Sequence, residues 1–172
     1  CLCLLMELAG RGSLRQLLDN NPGEVANRPE VQLGIACDIA SGMAYLHSQK
    51  PPILHRDLKS ANVLLAVVGQ ARLTAKLGDF GLAVGFEGTS IGSQAKTLEH
   101  RAAGTLAYKA PEMFHNRVLT ASEVFAFAII VWEMLTGQRP WLFDEQGRPY
   151  NEGSIIHAII SGVRPVVPKR NR

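Results

Sequence analysis

Cysteine is scarce in this sequence, and it has no long apolar segment. The three cysteines, Cys1, Cys3 and Cys37, lack C-x-x-C spacing. They therefore disfavour a disulfide framework or a zinc site and favour a reducing compartment. The longest apolar run, from Val124 to Trp132, is far shorter than the ~20 residues of a membrane span. We expect no membrane segment here, and either a cytoplasmic protein or the cytosolic part of a larger or membrane-tethered one.

A concentrated basic surface is also missing. The 18 Lys and Arg residues against 15 Asp and Glu residues give a net charge of only +3. They are scattered, apart from a cluster at Lys169 to Arg172 that resembles a solvated run. Nucleic-acid binding proteins usually carry a denser basic patch, so we expect no nucleic-acid partner. The 172 residues suffice for one domain, and because they start at Cys1 without an initiator methionine we expect a part of a larger one.

Local signals predict a mainly helical chain with a few short strands. Ser13 stands three residues before Gln16, a capping-box pattern that opens a helix ending near Asn20–Gly23. A longer helix with a buried face is predicted from Pro29 to about His47. The runs "ILH", "NVLLA" and "LTAKL" that follow it are typical of small strands.

The second half of the chain combines a long loop with two further helices. From Gly81 to about Arg101 no hydrophobic periodicity is visible, which predicts an irregular and functional loop. "TASE", Thr120 to Glu123, resembles a capping box for an apolar central helix that Gly137 ends. Because this helix is apolar on nearly every side, we expect it at the centre of the domain. A last helix is predicted around Ser154 to Ser161.

The stretch "HRDLKSAN", His55 to Asn62, carries the residue types that phosphoryl transfer needs. Asp57 can accept a proton from an attacking hydroxyl, and Lys59 can neutralise charge on a phosphate. Asn62 offers an amide oxygen, a hard ligand that suits magnesium. Taken alone, Asp57 and Lys59 would more often be a solvated surface pair, and His55 a core histidine bonded to a backbone carbonyl.

Two further motifs favour the phosphoryl-transfer interpretation over that of a surface pair. "DFG", Asp79 to Gly81, follows an apolar strand and can place a second carboxylate at a metal. "GTLAYKAPE", Gly104 to Glu112, closes the long loop. With the hinge-like "MELAGRGSL" at Met6 to Leu14, their order and spacing resemble the C-terminal lobe of eukaryotic protein kinases. "PILHRD" and "LKSAN" look most like the tyrosine-kinase-like group of serine/threonine kinases.

The resemblance implies an α+β fold: a mainly α-helical C-terminal lobe with short β-strands around the catalytic loop. Residues 1–172 would form a partial kinase domain, from the hinge through the helix after the central helix. It also implies ATP and Mg²⁺ as cofactors and a protein as substrate. Lys59, and Thr105 on the substrate side, favour serine and threonine over tyrosine as acceptors.

Residue roles are carried over from the family by position. The resemblance assigns Asp57 as catalytic base, Lys59 as the phosphate-contacting lysine, and Asn62 with Asp79 as metal ligands. For the nucleotide it assigns Met6 (gatekeeper), the backbones of Glu7 and Ala9 (adenine), Ser13 (ribose), and Leu64 (underside of the adenine). Arg56 implies a loop ordered by an added phosphate, from an activating kinase or autophosphorylation. The candidate acceptors are Thr89, Ser90, Ser93 and Thr97.

Departures from the family pattern keep other hypotheses open. The sequence shows no Gly-rich phosphate loop and no strand lysine, so we expect little ATP turnover from these residues alone. Glu123 stands where the family has aspartate, and its extra methylene predicts a misplaced contact to the catalytic loop. Ala126 and Ala128 predict crowding in the central helix, and Glu112 lacks an evident partner. The alternatives are a pseudokinase acting as scaffold or allosteric partner, or a small-molecule phosphotransferase.

Overall fold

In the computed structural model, the described residues are 7–69, 72–85 and 106–167. Their helices are α1 (Leu14–Asn20), α2 (Gly23–Ala26), α3 (Pro29–His47), α4 (Thr120–Thr136) and α5 (Glu152–Ile160). Their strands are β1 (Ile53–Leu54), β2 (Val63–Val68), β3 (Arg72–Leu77) and β4 (Val84–Gly85). Short 3₁₀ turns lie at Ser60–Asn62, Phe80–Leu82 and Pro111–His115. The predicted α+β class, mainly helical with short strands around the "HRDLKSAN" turn, is confirmed.

Helix α1 starts where its capping signal predicts. The Ser13 hydroxyl accepts a hydrogen bond from the Gln16 backbone N–H at 3.2 Å, and the Gln16 side chain accepts one from the Ser13 N–H at 2.8 Å. Two backbone donors at the helix start are therefore satisfied reciprocally. The same pairing fixes the chain direction just before Leu14, which is fully buried in the core.

Helix α3 packs against the small sheets. It begins at Pro29 as predicted, and its buried residues recur at helical spacing: Ile35, Ile39, Met43 and Leu46. Strand β3 packs closely across it at Gly42, where an added Cβ would lie 3.1 Å from Leu77 Cδ1. This glycine lets the backbone of α3 approach the sheet.

The strands form two antiparallel pairs. In the first, β2 pairs with β3 from Val63 opposite Leu77 to Val68 opposite Arg72. In the second, β1 pairs with β4, with Leu54 opposite Val84. The prediction of an irregular segment from Gly81 is therefore wrong at its start, because the segment makes a 3₁₀ turn and a strand before residue 86. Both pairs flank the "HRDLKSAN" turn.

Helix α4 does not begin with the capping box predicted at Thr120 to Glu123. Its N-cap is Leu119, whose N–H donates to the Ser122 hydroxyl at 3.1 Å. The Ser122 hydroxyl itself donates to Glu112 Oε1 at 2.6 Å. Glu112 thus has a partner that the sequence did not indicate. Glu123 is buried and is used elsewhere, so the longer-range contact overrides the local capping pattern.

The α4 helix is packed on one side only by the described residues. Ile129, Ile130 and Met134 are buried in the core, while Val124 and Leu135 are 56% and 57% exposed. The predicted position at the centre of the domain therefore holds for the buried face of the helix only, within the part of the chain that the structure describes. Ala128 is exposed, so the crowding predicted there does not arise, whereas Ala126 is buried.

The ends of α4 and α5 follow simple capping chemistry. Gly137 ends α4 with a φ of 66°, a left-handed conformation that glycine adopts without strain. Asn151 caps α5 by accepting from the Ser154 N–H at 2.9 Å. Helix α5 therefore begins at Glu152, earlier than the predicted Ser154.

Candidate active site

Asp57, Lys59 and Asn62 converge on one buried turn. Asp57 Oδ2 accepts from Lys59 Nζ at 2.8 Å and from Asn62 Nδ2 at 3.0 Å. Asn62 Nδ2 also donates to the Asp57 carbonyl at 2.8 Å. The Asp57 residue is only 3% exposed, so the reading of a solvated surface pair is wrong.

The backbone of this turn is held from the core by Glu123. Arg56 has a φ of 64°, a left-handed conformation that is strained for a residue with a side chain. Its N–H donates to Glu123 Oε1 at 2.7 Å, and Glu123 Oε2 lies 2.7 Å from His47 Nε2. The predicted misplacement of this contact is wrong, because the glutamate reaches the Arg56 backbone while also contacting the end of α3.

Gly78 ties the "DFG" segment to the same turn. The Gly78 N–H donates to the Asn62 carbonyl at 2.8 Å, and the Gly78 carbonyl lies 2.9 Å from His55 Nε2. His55 is fully buried, so the prediction of a core histidine bonded to a backbone carbonyl is confirmed. Asp79 follows with a φ of 58° and an exposed side chain, and its Oδ1 accepts weakly from the Gly81 N–H at 3.4 Å.

The donor atoms at this point suit a hard cation. Both Asn62 hydrogen bonds to Asp57 use the amide nitrogen, which leaves the amide oxygen as the group suited to a metal. Asp79 adds an exposed carboxylate. Mg²⁺ in phosphate sites is typically held by one or two such oxygens together with phosphate oxygens and water. Among the described residues there is no cluster of three His, Cys, Asp or Glu side chains that could hold a metal ion.

Ser13 and Leu64, the predicted ribose and adenine contacts, are brought together. They face each other in an isolated antiparallel bridge, flanked by Arg11 N–H to Leu65 O at 3.0 Å and Leu65 N–H to Gly12 O at 2.8 Å. An added Cβ on Gly78 would lie 2.7 Å from Leu64 Cδ1, so Leu64 packs against the residue before Asp79.

The hinge-like residues lie at one edge of this bridge. The Ala9 carbonyl accepts from the Gly12 N–H at 3.4 Å. The Glu7 carboxylate pairs with Lys76 Nζ of β3, with the shorter contact at 2.5 Å. Lys76 is an exposed residue of β3, and the ion pair links this strand to the hinge-like segment. Met6 lies outside the described residues.

A buried hydrogen-bond network, invisible in the motifs, connects α1, the turn and α4. The Tyr108 hydroxyl donates to Glu133 Oε2 at 2.8 Å and lies 3.0 Å from the Ser60 hydroxyl. Arg15 pairs with the other carboxylate oxygen of Glu133, and also with Asp19 at 3.0 Å. We call Arg15, Ser60, Tyr108 and Glu133 the buried network. It fixes Ser60, which lies between Lys59 and Asn62.

Burial sets the ionisation of this network. Desolvation raises the pKa of Glu133 above its usual value, although hydrogen bonds from Ser60 and Tyr108 and the Arg15 charge oppose the rise. Desolvation, followed by the Glu133 charge, raises the pKa of Tyr108 far above its ordinary range. Tyr108 is thus a fixed neutral donor. No sequence motif brings Glu133 to Arg15, which lies 118 positions away.

A cleft opens beside Asp57 toward the residues that follow the long loop. Its charged lining residues are Arg56, Asp57, Lys109 and Glu123. The Arg56 Nε is buried and has no hydrogen-bond partner among the described residues. The candidate phosphate acceptors Thr89, Ser90, Ser93 and Thr97, and Thr105, lie outside the described residues.

A model of the protein kinase domain matches residues 1–164. The chain belongs to this family. It is 38% identical over 168 residues to probable serine/threonine-protein kinase roco7 of Dictyostelium discoideum, covering 96% of this chain and 6% of the relative. It is 38% identical over 141 residues to serine/threonine-protein kinase CTR1 of Arabidopsis thaliana, covering 81% and 16%. It is 38% identical over 146 residues to mouse mitogen-activated protein kinase kinase kinase 10, covering 81% and 14%.

Membership confirms the predicted resemblance to protein kinases, and the family generally uses ATP and Mg²⁺. The matched segment spans only 6% to 16% of these three relatives. No helix in the described part of this kinase chain is long and apolar enough to cross a membrane.

Proposed function

We propose that this chain supplies catalytic residues to a serine/threonine protein kinase, which transfers the γ-phosphate of ATP to protein hydroxyls. The observation that carries the proposal is the preassembled turn of Asp57, Lys59 and Asn62. A buried carboxylate held by a lysine and an amide is costly to desolvate. Such a turn is therefore better explained by chemistry than by stability.

Each side chain of the turn has one task in the proposed reaction. Asp57 orients the substrate hydroxyl and accepts its proton as the oxygen bonds to the γ-phosphorus and the bond to ADP breaks. Lys59, placed 2.8 Å from Asp57, neutralises charge on the migrating phosphoryl group. Asn62 and Asp79 would hold Mg²⁺, which supplies charge neutralisation on the phosphates when bound. Fixed positions cost no reorganisation during the reaction.

The nucleotide is proposed to enter along the bridge between Ser13 and Leu64. Leu64 offers an apolar surface to the adenine, with the backbones of Glu7 and Ala9 as hydrogen-bonding groups and Met6 as gatekeeper. The Ser13 hydroxyl faces the ribose in this assignment. It already accepts a hydrogen bond from the Gln16 N–H, so its remaining role is that of a donor.

Arg56 supports control by phosphorylation. Its guanidinium is part of a residue that is only 9% exposed, and its Nε has no hydrogen-bond partner in the described part of the chain. A phosphate would provide the missing acceptor and a countercharge. We propose Thr89, Ser90, Ser93 and Thr97 as acceptors, acted on by an activating kinase or by autophosphorylation. The cysteine content favours a reducing compartment, and we propose a cytoplasmic protein or the cytosolic part of a larger or membrane-tethered one.

The test is γ-phosphate transfer by the full-length protein to a mixed protein substrate, followed by phosphoamino-acid analysis. Wild type is expected to label serine and threonine, and Asp57→Asn to lose the labelling. Arg148→Gln serves as the matched surface control, because Arg148 is exposed and pairs only locally with Asp144 and Gln146 among the described residues. Labelled tyrosine alone would overturn the substrate assignment. Absence of transfer with intact nucleotide binding would favour the pseudokinase alternative.

A further inference from the structure

Lys109 lies beside the proposed catalytic base, and the charge of the Asp57 carboxylate acts on it. It is half-buried and lies in the turn between Tyr108 and Ala110, both of which are buried. Within the described ranges, burial and the Asp57 charge act on its ammonium group, and no side chain hydrogen-bonds to it. A partly desolvated cation without such a partner is unfavourable, and an incoming anion would relieve that cost.

The turn that carries Lys109 is rigidly placed. The Lys109 N–H donates to the Leu106 carbonyl at 3.1 Å, and the Ala107 carbonyl accepts from Trp141 Nε1 at 3.1 Å. The neighbouring Tyr108 is fixed in the buried network. The Cα and Cβ atoms of Lys109 are therefore held at a fixed position relative to Asp57 by the fold.

We define the Lys109 cleft by its charged and apolar lining residues: Arg56, Asp57, Lys109, Glu123, Met113 and Val118. Both acidic groups in it are already engaged. Asp57 is bound by Lys59 and Asn62, and Glu123 by the Arg56 N–H and His47.

At this cleft the cations Arg56, Lys59 and Lys109 outnumber the carboxylates Asp57 and Glu123, because Lys59 contacts Asp57. Burial lowers the pKa of Lys109, and the nearby Asp57 carboxylate opposes that shift, so the two groups sense each other across the cleft. The cleft therefore has the charge balance to accept one more anion.

We propose that Lys109 is a specificity-determining residue that selects protein substrates with an acidic or phosphorylated side chain within two residues of the acceptor hydroxyl. The acceptor oxygen must approach Asp57, and an extended chain advances about 3.3 Å per residue. Side chains one or two positions from the acceptor thus fall within reach of the lysine. The proposal rests on the proposed function, because it takes Asp57 as the point that the hydroxyl approaches.

The test uses acceptor peptides that carry Glu, Ala or Lys at each of the two positions on either side of a serine. The full-length protein is compared with Lys109→Met and Lys109→Glu. Lys50→Met and Lys50→Glu are matched controls at an exposed lysine after α3. The measured quantity is the ratio of kcat/KM for a Glu peptide to kcat/KM for the matching Lys peptide. A general loss of activity cancels because the ratio is taken within one variant.

Wild type is expected to prefer a Glu peptide over a Lys peptide by about fivefold at one or more positions, the size of a partly exposed ion pair. Lys109→Met should reduce the ratio to about one, and Lys109→Glu should invert it, since charge reversal exchanges attraction for repulsion. The Lys50 variants should keep the wild-type ratio. A ratio near one in wild type, or a preference that survives in Lys109→Glu, would overturn the proposal.

Fluorescence anisotropy with peptides whose acceptor serine is replaced by alanine gives a second readout that needs no catalysis. Tighter binding of the Glu peptide that is inverted in Lys109→Glu, without any phosphate transfer, would support the Lys109 assignment and refute the kinase activity. Transfer that depends on Asp57 without any charge preference would refute only the Lys109 assignment. If Lys109 instead pairs with a phosphate on this chain, Lys109→Glu will leave the Glu-to-Lys peptide ratios in kcat/KM and in binding unchanged. That result would also refute the Lys109 assignment.

Discussion

Replacing Glu123 with alanine removes the acceptor that holds the Arg56 backbone in its left-handed conformation. The Arg56 N–H to Glu123 Oε1 bond is 2.7 Å long, and the glutamate is only 3% exposed. Its other oxygen contacts His47 at 2.7 Å. The substitution therefore leaves a buried N–H and a histidine without their common partner, in a turn that already carries backbone strain.

The expected cost is dominated by the Arg56 bond. A hydrogen bond to a charged group contributes about 1.5–3 kcal/mol, and a strained backbone of this kind stores roughly 1–3 kcal/mol that a relaxed turn would release. A net loss of about 3 kcal/mol is reasonable for the segment, and each 1.36 kcal/mol corresponds to a factor of about ten. The local opening equilibrium of the turn should therefore increase by about two orders of magnitude.

Hydrogen exchange measured by mass spectrometry on peptides that cover Arg56 is the direct assay. Glu123→Ala should speed exchange of this segment about 100-fold relative to wild type, because local opening exposes the amide. Glu123→Gln is the matched control: it keeps an oxygen acceptor and should lie between the two. In kinetics, kcat should fall more than the ATP affinity, since the base moves and the Ser13–Leu64 bridge does not. Unchanged protection at Arg56 in Glu123→Ala would refute the reasoning.

Three further predictions follow from contacts around the turn. Gly78→Ala should weaken ATP binding about tenfold, because its Cβ would lie 2.7 Å from Leu64 Cδ1 and overpacking costs about 1–3 kcal/mol. Gly34→Ala is the control: an added Cβ there meets nothing within 4 Å, so the Kd for ATP should stay at the wild-type value. Glu133→Gln should flatten the pH dependence of urea unfolding. The raised pKa of Glu133 makes the native protein bind the proton more tightly, so wild-type stability falls as pH rises from 4.5 through the folded pKa. The same change of unfolding free energy with pH in Glu133→Gln would contradict this. Ser60→Ala and Tyr108→Phe should each lower kcat. Because the two hydroxyls share a hydrogen bond, the effects on the activation free energy should differ from additivity by about 1 kcal/mol in the double variant. Strictly additive effects would argue against that bond.

Local physical chemistry explains what the sequence predicts well. The Ser13–Gln16 capping box needs only four consecutive residues, and α3 needs only a periodic apolar face beginning at Pro29. Both are set by neighbours along the chain, and both are confirmed. The family resemblance likewise depends on short motifs with fixed spacing. It identifies Asp57, Lys59 and Asn62, which the structure brings within hydrogen-bonding distance.

The sequence-based predictions are wrong where a side chain binds a partner that is distant along the chain. Glu123 fits a capping box by spacing, yet a buried carboxylate gains more from the Arg56 N–H and His47, so Leu119 becomes the N-cap. The extra methylene predicted to misplace it provides the reach for both contacts. Likewise, the Glu133 contact with Arg15 depends on tertiary packing that no local pattern encodes.

The surface of α4 shows a second kind of limit to sequence reasoning. An apolar sequence indicates that a helix can be buried, but not which of its faces the neighbouring elements cover. Val124 and Leu135 are exposed among the described residues, although they lie in the same apolar helix as the buried Ile130. Burial is a property of packing partners, so periodicity without those partners over-predicts it.

The most direct test of the central claim compares kcat with nucleotide affinity in Asp57→Asn of the full-length protein. Loss of a general base typically lowers the rate by about 10²–10⁴-fold, and asparagine preserves the shape of the buried turn. The account predicts a fall in kcat of that size with the Kd for Mg²⁺–ATP essentially unchanged. A kcat near the wild-type value, or a loss of activity explained by lost nucleotide binding, would contradict the assignment of Asp57 as the base for phosphoryl transfer.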